Sequence, residues 1–276
     1  MTPSVPVTTP VTVIILAGQR AGIRNPLAAA AGVSHKCLVP IAGKPLIEHV
    51  FAAVAELSAI HEIVVSLEED AHDAVAEIAA RAVMGGTQMR FVPAREALVD
   101  SILAAVEGAR LPVVITTADN VLLTAEGFDA MRGALGEAEV VFALARREDV
   151  LAAHPDGQRN FYRFRDGEFA NCNIYALKNE AALACIGVFS EGGQFMKSKM
   201  RMVRAFGLFN IIGLALRRFT SAGAARRIGT RFGAQCARVV MRDGSLAIDV
   251  DNARTYECCE TILERRADRA RTAQDA

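Results

Sequence analysis

The feature that most constrains the fold is a regular alternation of strand-like and helix-like segments across the first half of the chain. Short apolar runs predict buried strands at residues 11–16, 62–67, 89–92, 111–116 and 139–145. Segments with apolar residues at helical spacing predict helices at residues 45–57, 71–83, 99–108 and 125–135. Strands that alternate with helices in this way form βαβ units, so we expect a mostly parallel sheet covered by helices.

The second half of the chain has a different pattern. Residues 160–169 alternate around Asp166-Gly167, which predicts a β-hairpin, and residues 173–177 and 235–241 predict further strands. Helices are predicted at residues 200–219, 221–232 and 253–267. The sequence contains no internal repeat.

Length and composition fit one large α/β domain. Hydrophobic residues make up 52% of the 276 residues, so a sizeable core can be buried. We expect a single domain over residues 11–267, a flexible tail at residues 1–10 and a frayed tail at residues 268–276. No apolar stretch reaches the roughly 20 residues of a membrane-spanning helix, and no basic region precedes the first apolar run as in a signal peptide.

The cysteine pattern favours an ordinary intracellular protein. The six cysteines form no C-x-x-C pair and show no metal-ligand spacing. We therefore predict reduced, mostly buried thiols and a cytoplasmic location.

The loops that follow Leu16 and Thr117 are the expected location of a functional site, because ligands of parallel sheets bind beyond the carboxyl ends of the strands. The first of these loops is rich in small residues, whose backbone N–H groups can form a nest for an anion. A glycine-containing loop after a strand is, by itself, equally typical of a simple turn. The loop residues of interest are Leu16, Ala17, Gly18, Gln19, Arg20, Gly22 and Arg24.

Two further elements follow the loop, Lys36-Cys37-Leu38 and Gly43-Lys44-Pro45-Leu46-Ile47. Together with the loop they resemble the signature of the nucleotidyltransferase superfamily. That superfamily includes sugar-phosphate nucleotidylyltransferases, molybdenum-cofactor nucleotidyltransferases and methylerythritol-phosphate cytidylyltransferases. The loop departs from the family pattern, because Gln19 replaces a glycine and the loop is one residue longer.

Three later segments also resemble elements of this family. Residues 113–120 resemble the strand that ends in the family's metal-binding aspartate, here Asp119, although Val121 stands where a proline is usual. Residues 248–252 resemble the late acidic element, with Asp249 as the second ligand and without the usual Thr-Pro-Glu. Residues 100–105 resemble the segment that frames the base in cytidylyltransferases, which favours CTP and places Ser101 at the nucleotide.

The resemblance implies a three-layer αβα Rossmann-like fold of the glycosyltransferase-A type, with a mixed, mostly parallel sheet. It implies transfer of a nucleoside monophosphate from an NTP to a small phosphorylated acceptor. Lys36 would bind the NTP phosphates as a point charge, and Arg20 or Arg24 would take the role of the family's arginine. The loop residues Leu16, Ala17, Gly18, Gln19 and Gly22 would bind the nucleotide.

The same resemblance implies a Mg²⁺ cofactor held by Asp119 and Asp249, since Mg²⁺ prefers oxygen ligands. Asn171 and Asn173 precede a strand where relatives contact the acceptor, and an ordinary turn is the alternative interpretation. No protein nucleophile is needed, because an acceptor phosphate is already ionised near neutral pH. Phosphoryl-type transfer is catalysed mainly by positioning and charge neutralisation.

The most unusual stretch lies between Glu191 and Asp243, which holds eleven Lys or Arg residues and no acidic residue. We predict a basic helical insertion at about residues 195–233. Lys197 and Lys199 are predicted to contact the acceptor's phosphate. The alternatives are packing against the core or a homodimer partner, and contact of residues 197–231 with an anionic membrane at the inner face of the cell. No nucleic-acid partner is expected.

Two other functions fit the same motifs. A glycosyltransferase of this fold usually carries D-x-D where this chain has Ala118-Asp119-Asn120, and the missing second acid argues against it. A degenerate, non-catalytic nucleotide-binding domain is disfavoured by the presence of both Lys36 and Asp119. Taken singly, Lys36 is also consistent with a solvated loop residue, Asp119 with a helix cap in competition with Thr124, and Asp249 with a turn residue.

Overall fold

The alternating segments form one eight-stranded sheet and a separate two-stranded hairpin in the computed structural model. The structure describes residues 10–19, 25–83, 87–186 and 217–274. The strands are β1 (Val11–Leu16), β2 (Pro40–Ile41), β3 (Lys44–Pro45), β4 (Ile60–Leu67), β5 (Gln88–Pro93), β6 (Val113–Thr117), β7 (Val140–Arg146), β8 (Tyr162–Phe164), β9 (Gly167–Leu177) and β10 (Cys236–Met241).

Helices connect most of the strands. They are α1 (Pro26–Ala30), α2 (Leu46–Ala55), α3 (His72–Ala82), α4 (Leu98–Val106), α5 (Ala125–Ala134), α6 (Arg147–Ala153), α7 (Ser221–Phe232) and α8 (Ala253–Gln274). Short 3-10 helices lie at Lys36–Leu38, Glu69–Ala71, Glu180–Cys185 and Gly244–Ala247.

The sheet order is β10-β7-β9-β6-β1-β4-β5, with β8 paired to β9. Strand β1 is central and pairs in parallel with both β4 and β6, so that Leu16 lies opposite Ser66 and Thr117. Strand β9 runs antiparallel between β6 and β7. The loops after β1, β4 and β6 therefore meet at one edge of the sheet. The expected α/β fold with a mixed, mostly parallel sheet is confirmed.

Both faces of the sheet are covered, which explains why β1 is apolar along almost its whole length. Val13 and Ile15 belong to the apolar layer that includes α2 and α5, whereas Ile14 faces the layer that includes α4. All three side chains are fully buried. At about 25 cal/mol per Å² of apolar surface removed from water, such residues dominate the stability of the domain.

Strand β9 differs from the sequence-based expectation in a way that matters for the site. The expected hairpin arm and the separate strand at residues 173–177 form one continuous strand. The pairing of this strand with β7 shifts register between Phe142 and Leu144. Asn173 lies within this irregularity in the left-handed region, with φ 51°. A β-bulge of this kind re-aims a side chain without ending the strand.

The last helix also differs from the expectation. Residues 268–274, expected as a frayed tail, continue α8 to Gln274. An ion pair between Arg271 and Asp268, one turn apart, supports this extension. Residues 200–216 of the predicted helix and the start of the basic insertion lie outside the described residues. Residues 217–219 were predicted to be helical but form a turn, with φ 52° at Arg217, whereas the last part of the insertion forms α7 as expected.

Two helices were not predicted. Helix α1 begins after Asn25, whose side chain accepts hydrogen bonds from the backbone N–H groups of Leu27 and Ala28, and Pro26 occupies its first turn. Helix α6 has seven residues and begins directly at the end of β7. Helices this short carry little periodicity, so pattern-based prediction passes over them.

Candidate active site

Lys36 and Asp119 meet at the carboxyl-terminal edge of the sheet. Lys36 begins the 3-10 helix that follows α1, and Asp119 follows β6. The backbone N–H of Ala118 donates to the carbonyl of Leu16 at 2.9 Å, which ties the loop after β6 to the end of β1. The Lys36 ammonium group forms an ion pair with Asp119 and lies 3.3 Å from Oδ1 of Asp251.

The electrostatics of Lys36 follow from its two acidic partners. Its side chain is only 19% exposed. Burial lowers the pKa of Lys36, but the nearby charges of Asp119 and Asp251 together outweigh burial, so the net shift is upward. Lys36 is therefore a fixed positive charge among carboxylates rather than a solvated loop lysine.

Asp249 is joined to the same cluster by the backbone. Val250 N–H donates to the carbonyl of Asp119 at 3.1 Å, and Asn252 caps the start of α8 by accepting from Thr255 N–H at 3.3 Å. These bonds fix the segment on both sides of Asp251. Asp249 is 6% exposed, and its pKa is raised well above the usual range, mainly by burial and then by the charges of Asp119 and Asp251.

Two carboxylate oxygens of this cluster are buried without a hydrogen-bond partner among the described residues. They are Oδ1 of Asp119 and Oδ1 of Asp249. Buried polar atoms are normally satisfied, so such a pair indicates a missing cation or ligand. Oxygen donors of this kind fit Mg²⁺, which commonly uses one or two carboxylates together with water and substrate phosphates. Within the described ranges, no group of three or more His, Cys, Asp or Glu side chains could hold a metal ion.

Asn173, predicted to bind the acceptor, lies against Asp249. Its Nδ2 donates to Oδ2 of Asp249 at 2.5 Å, and its Oδ1 accepts from Nδ2 of Asn171 at 2.7 Å. The loop that carries Asp119 is tied to the same strand, because Nδ2 of Asn120 donates to the carbonyl of Cys172 at 2.9 Å. Strand β9 thus supports both predicted metal ligands.

The glycine loop lies beside the ends of β4 and β5. A Cβ atom at Gly18 would lie 2.6 Å from Cβ of Ala94, so this close approach of two loops requires glycine. The backbone N–H of Gln19 donates to Oε1 of Glu68 at 2.9 Å. His35, which is buried, lies 3.5 Å from the other oxygen of Glu68. The Glu68 carboxylate therefore accepts a hydrogen bond from one N–H group of the loop.

Ser101 lies near this loop but its hydroxyl is already engaged. Its Oγ accepts from the backbone N–H of Arg95 at 2.8 Å and donates to the carbonyl of the same residue at 3.3 Å. These bonds close the turn between β5 and α4. A nucleotide contact of Ser101 stays a prediction, as does nucleotide binding by Leu16 and Ala17 at the end of β1.

Five predicted site residues lie outside the described residues. They are Arg20, Gly22, Arg24, Lys197 and Lys199. The choice between the two loop arginines and the contacts of the two lysines therefore stay predictions.

The alternative role of Asp119 as a helix cap is decided by a local contact. Thr124, not Asp119, caps α5, because its side chain accepts from the N–H of Gly127. Lys44 is 53% exposed and forms an i,i+4 ion pair with Glu48 at 3.7 Å. It belongs to the β2–β3 hairpin, whose two-residue turn has positive φ at both Ala42 and Gly43.

Sequence reasoning did not include Asp251 or Glu68 in the site. Asp251 was overlooked because Asp249 was the better match to the family element, yet Asp251 is the acid that contacts Lys36. Glu68 directly follows β4, and the alignment of strand ends predicts a neighbour of the glycine loop at that position. An acid immediately after a buried parallel strand was the available signal.

The described part of the basic insertion carries exposed cationic side chains. Helix α7 exposes Arg226, Arg227 and Arg231. Its start is fixed by Asp166, which accepts from the backbone N–H and the hydroxyl of Ser221, both at 2.7 Å. Among the described residues, no helix combines the length and apolar character needed to span a membrane.

Residues 13–191 match the family model of the MobA-like NTP transferase domain. This range is more than half of the chain and contains Lys36, Asp119 and Asn173, whereas Asp249 lies beyond it. No curated protein matches the chain in sequence.

Solved structures share the fold. A hypothetical transferase from Thermus thermophilus is 25% identical with a TM-score of 0.70, covering 90% of this chain and 99% of that chain. The 4-diphosphocytidyl-2C-methyl-D-erythritol synthase from Anaerococcus prevotii is 12% identical with a TM-score of 0.58, and the match covers 93% of this chain and 99% of that chain. A CMP:2-keto-3-deoxy-manno-octonic acid synthetase in complex with CTP is 12% identical with a TM-score of 0.55, and the match covers 94% of this chain and 99% of that chain.

Proposed function

Because the chain belongs to the MobA-like NTP transferase family, we propose that it transfers a nucleoside monophosphate from an NTP, with CTP favoured, to a small phosphorylated acceptor. An oxygen of the acceptor phosphate attacks the α-phosphorus, the bond between that phosphorus and the bridging oxygen breaks, and pyrophosphate leaves. The observation that carries the proposal is the convergence of Lys36, Asp119 and Asp249 at one edge of the sheet, with two unpartnered buried carboxylate oxygens.

Lys36 supplies the positive charge for the phosphates of the NTP. Its two acidic neighbours keep it protonated and hold the ammonium group at the sheet edge. The glycine loop supplies backbone N–H groups beside it, at the level where β1 and β6 end. Catalysis of this kind depends on positioning and on neutralising charge, and both are provided by groups that are fixed before the substrate binds.

Asp119 and Asp249 would hold Mg²⁺. When bound, the cation would neutralise charge on the α-phosphate and orient the acceptor. The protein's own contribution is to keep two carboxylates buried and close together, an arrangement that raises the pKa of Asp249 in the metal-free chain. A cation relieves that unfavourable burial of negative charge, which supports a functional rather than structural origin of the cluster.

The basic segment is proposed to recruit the anionic acceptor. Its sequence carries a sign bias that an ordinary mixed-charge surface does not need, and α7 displays part of it. Replacing Lys197 and Lys199 with alanine should raise the KM for the acceptor and leave the KM for the NTP unchanged. Binding of the wild type to anionic liposomes, with an unchanged acceptor KM in these variants, would instead indicate a membrane-contact role.

Pyrophosphate release tests the function directly. The protein is incubated with CTP, GTP, ATP or UTP, Mg²⁺ and a panel of sugar 1-phosphates, polyol phosphates, inositol phosphates and phosphonates. We expect acceptor-dependent release of pyrophosphate with one NTP preferred. The Asp119→Asn variant serves as the matched control.

Two outcomes would contradict the proposal. Release of a nucleoside diphosphate from a sugar nucleotide, without pyrophosphate release from any NTP, would identify a glycosyltransferase. Binding of NTP without turnover for any acceptor in the panel or in a cell metabolite extract would identify a non-catalytic nucleotide-binding domain.

A further inference from the structure

The β-bulge in β9 carries a chain of polar side chains that ends on Asp249. Asn171, Asn173 and Tyr175 lie on alternate positions of the same strand. Nδ2 of Asn171 donates to Oη of Tyr175 at 2.5 Å and to Oδ1 of Asn173 at 2.7 Å. Nδ2 of Asn173 then donates to Oδ2 of Asp249 at 2.5 Å.

The direction of this chain is set by the main chain. The backbone N–H of Asn173 donates to Oδ1 of Asn171 at 3.2 Å, and a backbone N–H can only donate. The oxygen of the Asn171 amide must therefore face that N–H, and its NH₂ group must face Asn173 and Tyr175. Since Oδ1 of Asn173 accepts from Asn171, the NH₂ group of Asn173 faces Asp249, its partner among the described residues.

The consequence for Asp249 is a defined orientation. Oδ2 is occupied by the amide of Asn173, whereas Oδ1 is buried and has no hydrogen-bond partner among the described residues. The backbone geometry at Asn173 fits this task, because φ 51° is a conformation that asparagine tolerates better than most side chains. The register shift of β9 places the residue there.

We propose that Asn171 and Tyr175 are positioning residues that act through Asn173 to hold Asp249 with one oxygen free for a divalent cation. The inference rests on the proposed function for the identity of the cation. It assigns to Asn173 a role toward the metal ligand, in place of the predicted contact with the acceptor.

Direct cation binding tests this without catalysis. Mn²⁺ is used as a spin-active substitute for Mg²⁺, and its affinity for the full chain is measured by electron paramagnetic resonance without nucleotide. Groups that orient a metal ligand typically change metal affinity by about 10- to 100-fold. We expect Asn171→Ala and Asn173→Gly each to weaken Mn²⁺ binding by about 10-fold or more. Glycine is chosen at position 173 because it accepts the positive φ without strain.

The double variant separates positioning from a general structural role. If Asn171 acts only through Asn173, Asn171→Ala adds nothing to Asn173→Gly, and the two changes are strongly non-additive. Tyr175→Phe removes only the hydroxyl and should weaken Mn²⁺ binding by a smaller factor of about 3. Tyr256→Phe is the matched control, because the Tyr256 hydroxyl contacts the carbonyl of Pro40 and the carboxylate of Glu260 rather than this chain of polar side chains, and it should bind Mn²⁺ like the wild type.

Three results would overturn the inference: wild-type Mn²⁺ affinity in a folded Asn171→Ala variant, additive effects in the double variant, or a raised acceptor KM in Asn173→Gly with unchanged Mn²⁺ affinity. If Asn171→Ala does not fold, Tyr175→Phe provides the same comparison at constant volume, and wild-type affinity there overturns the inference. If the variants bind Mn²⁺ more weakly but the wild type transfers no nucleotide, the proposed function is contradicted and the inference about the positioning residues stands.

Discussion

Asp119 and Asp249 occupy the same site in opposite electrostatic environments. Asp119 is balanced by the ammonium group of Lys36, whereas Asp249 receives a hydrogen bond from the neutral amide of Asn173. Asp249 is the more buried of the two and its pKa is strongly raised. Asp119 is thus already paired with a cationic side chain, whereas the ionised form of Asp249 would be favoured by an additional cation.

The position of Lys36 limits the electrostatic repulsion among the acidic side chains of the site. Lys36 compensates one negative charge and lies 3.3 Å from a third carboxylate, Asp251. Burying an uncompensated charge is costly, so the ionised form of Asp249 is unfavourable in this environment. Substitutions of Asp119, Asp249 and the charged residues around them test this difference.

The largest effect is expected from Asp119→Asn. The substitution keeps the shape of the side chain but removes the anion that faces Lys36 and the proposed cation. Loss of one preorganised electrostatic contact costs about 3–4 kcal/mol, or 10²- to 10³-fold in kcat. Pyrophosphate release by the folded variant measures this, and turnover within threefold of the wild type would contradict the assignment.

Lys36→Ala should follow closely and should exceed Lys44→Ala by a wide margin. Lys36 lies among carboxylates at the sheet edge, whereas Lys44 is exposed and pairs only with Glu48 among the described residues. We expect a loss of about 100-fold in kcat/KM for the first, equivalent to about 2.7 kcal/mol, and less than threefold for the second. Steady-state kinetics decides, and the reverse order would mean that the hairpin lysine binds the phosphates.

Asp249→Asn should lower kcat, by less than Asp119→Asn or Lys36→Ala, yet stabilise the fold when EDTA is present. The pKa of Asp249 is raised in the folded state, so the folded chain binds more protons than the unfolded chain. The unfolding free energy of the wild type therefore falls as pH rises from about 4, the ordinary carboxyl value, through the raised pKa.

The neutral variant escapes this penalty. We expect the unfolding free energy of the variant to exceed that of the wild type by about 1–3 kcal/mol near neutral pH, measured by urea unfolding in EDTA. No gain is expected below about pH 4, where Asp249 is protonated in both the folded and the unfolded wild type. Added Mg²⁺ should stabilise the wild type only. A destabilised variant at neutral pH would show that the buried carboxylate is favourable as an anion without a cation.

The smallest effect is expected from Asp251→Asn. Its side chain is 62% exposed, and an ion pair of that kind contributes about 1 kcal/mol or less. We expect a change of less than tenfold in kcat/KM and little change in thermal stability. A loss as large as that of Asp119→Asn would make Asp251, rather than Asp249, the second metal ligand.

The candidate ligands of the site were predictable from local sequence features. Lys36, Asp119 and Asp249 follow from motif order and from the rule that ligands bind at the carboxyl edge of a parallel sheet. Their partners were not predictable in the same way. The family element favours Asp249 over Asp251, and only the turn between Val250 and Asn252 decides that Asp251 is the one that reaches Lys36.

The sequence by itself determined the element types and the alternation that produces a mixed, mostly parallel sheet. These depend on local periodicity, since steric preferences and apolar spacing act over a few residues. The β-bulge at Asn173 and its contact with Asp249 depend on residues that are far apart in the sequence. Its pattern predicts a strand, but the bulge arises from pairing with β7, and its contact with Asp249 joins residues 76 positions apart. Tertiary structure decided those contacts because sheet order brings distant segments together, and the sequence pattern does not encode register at a bulge.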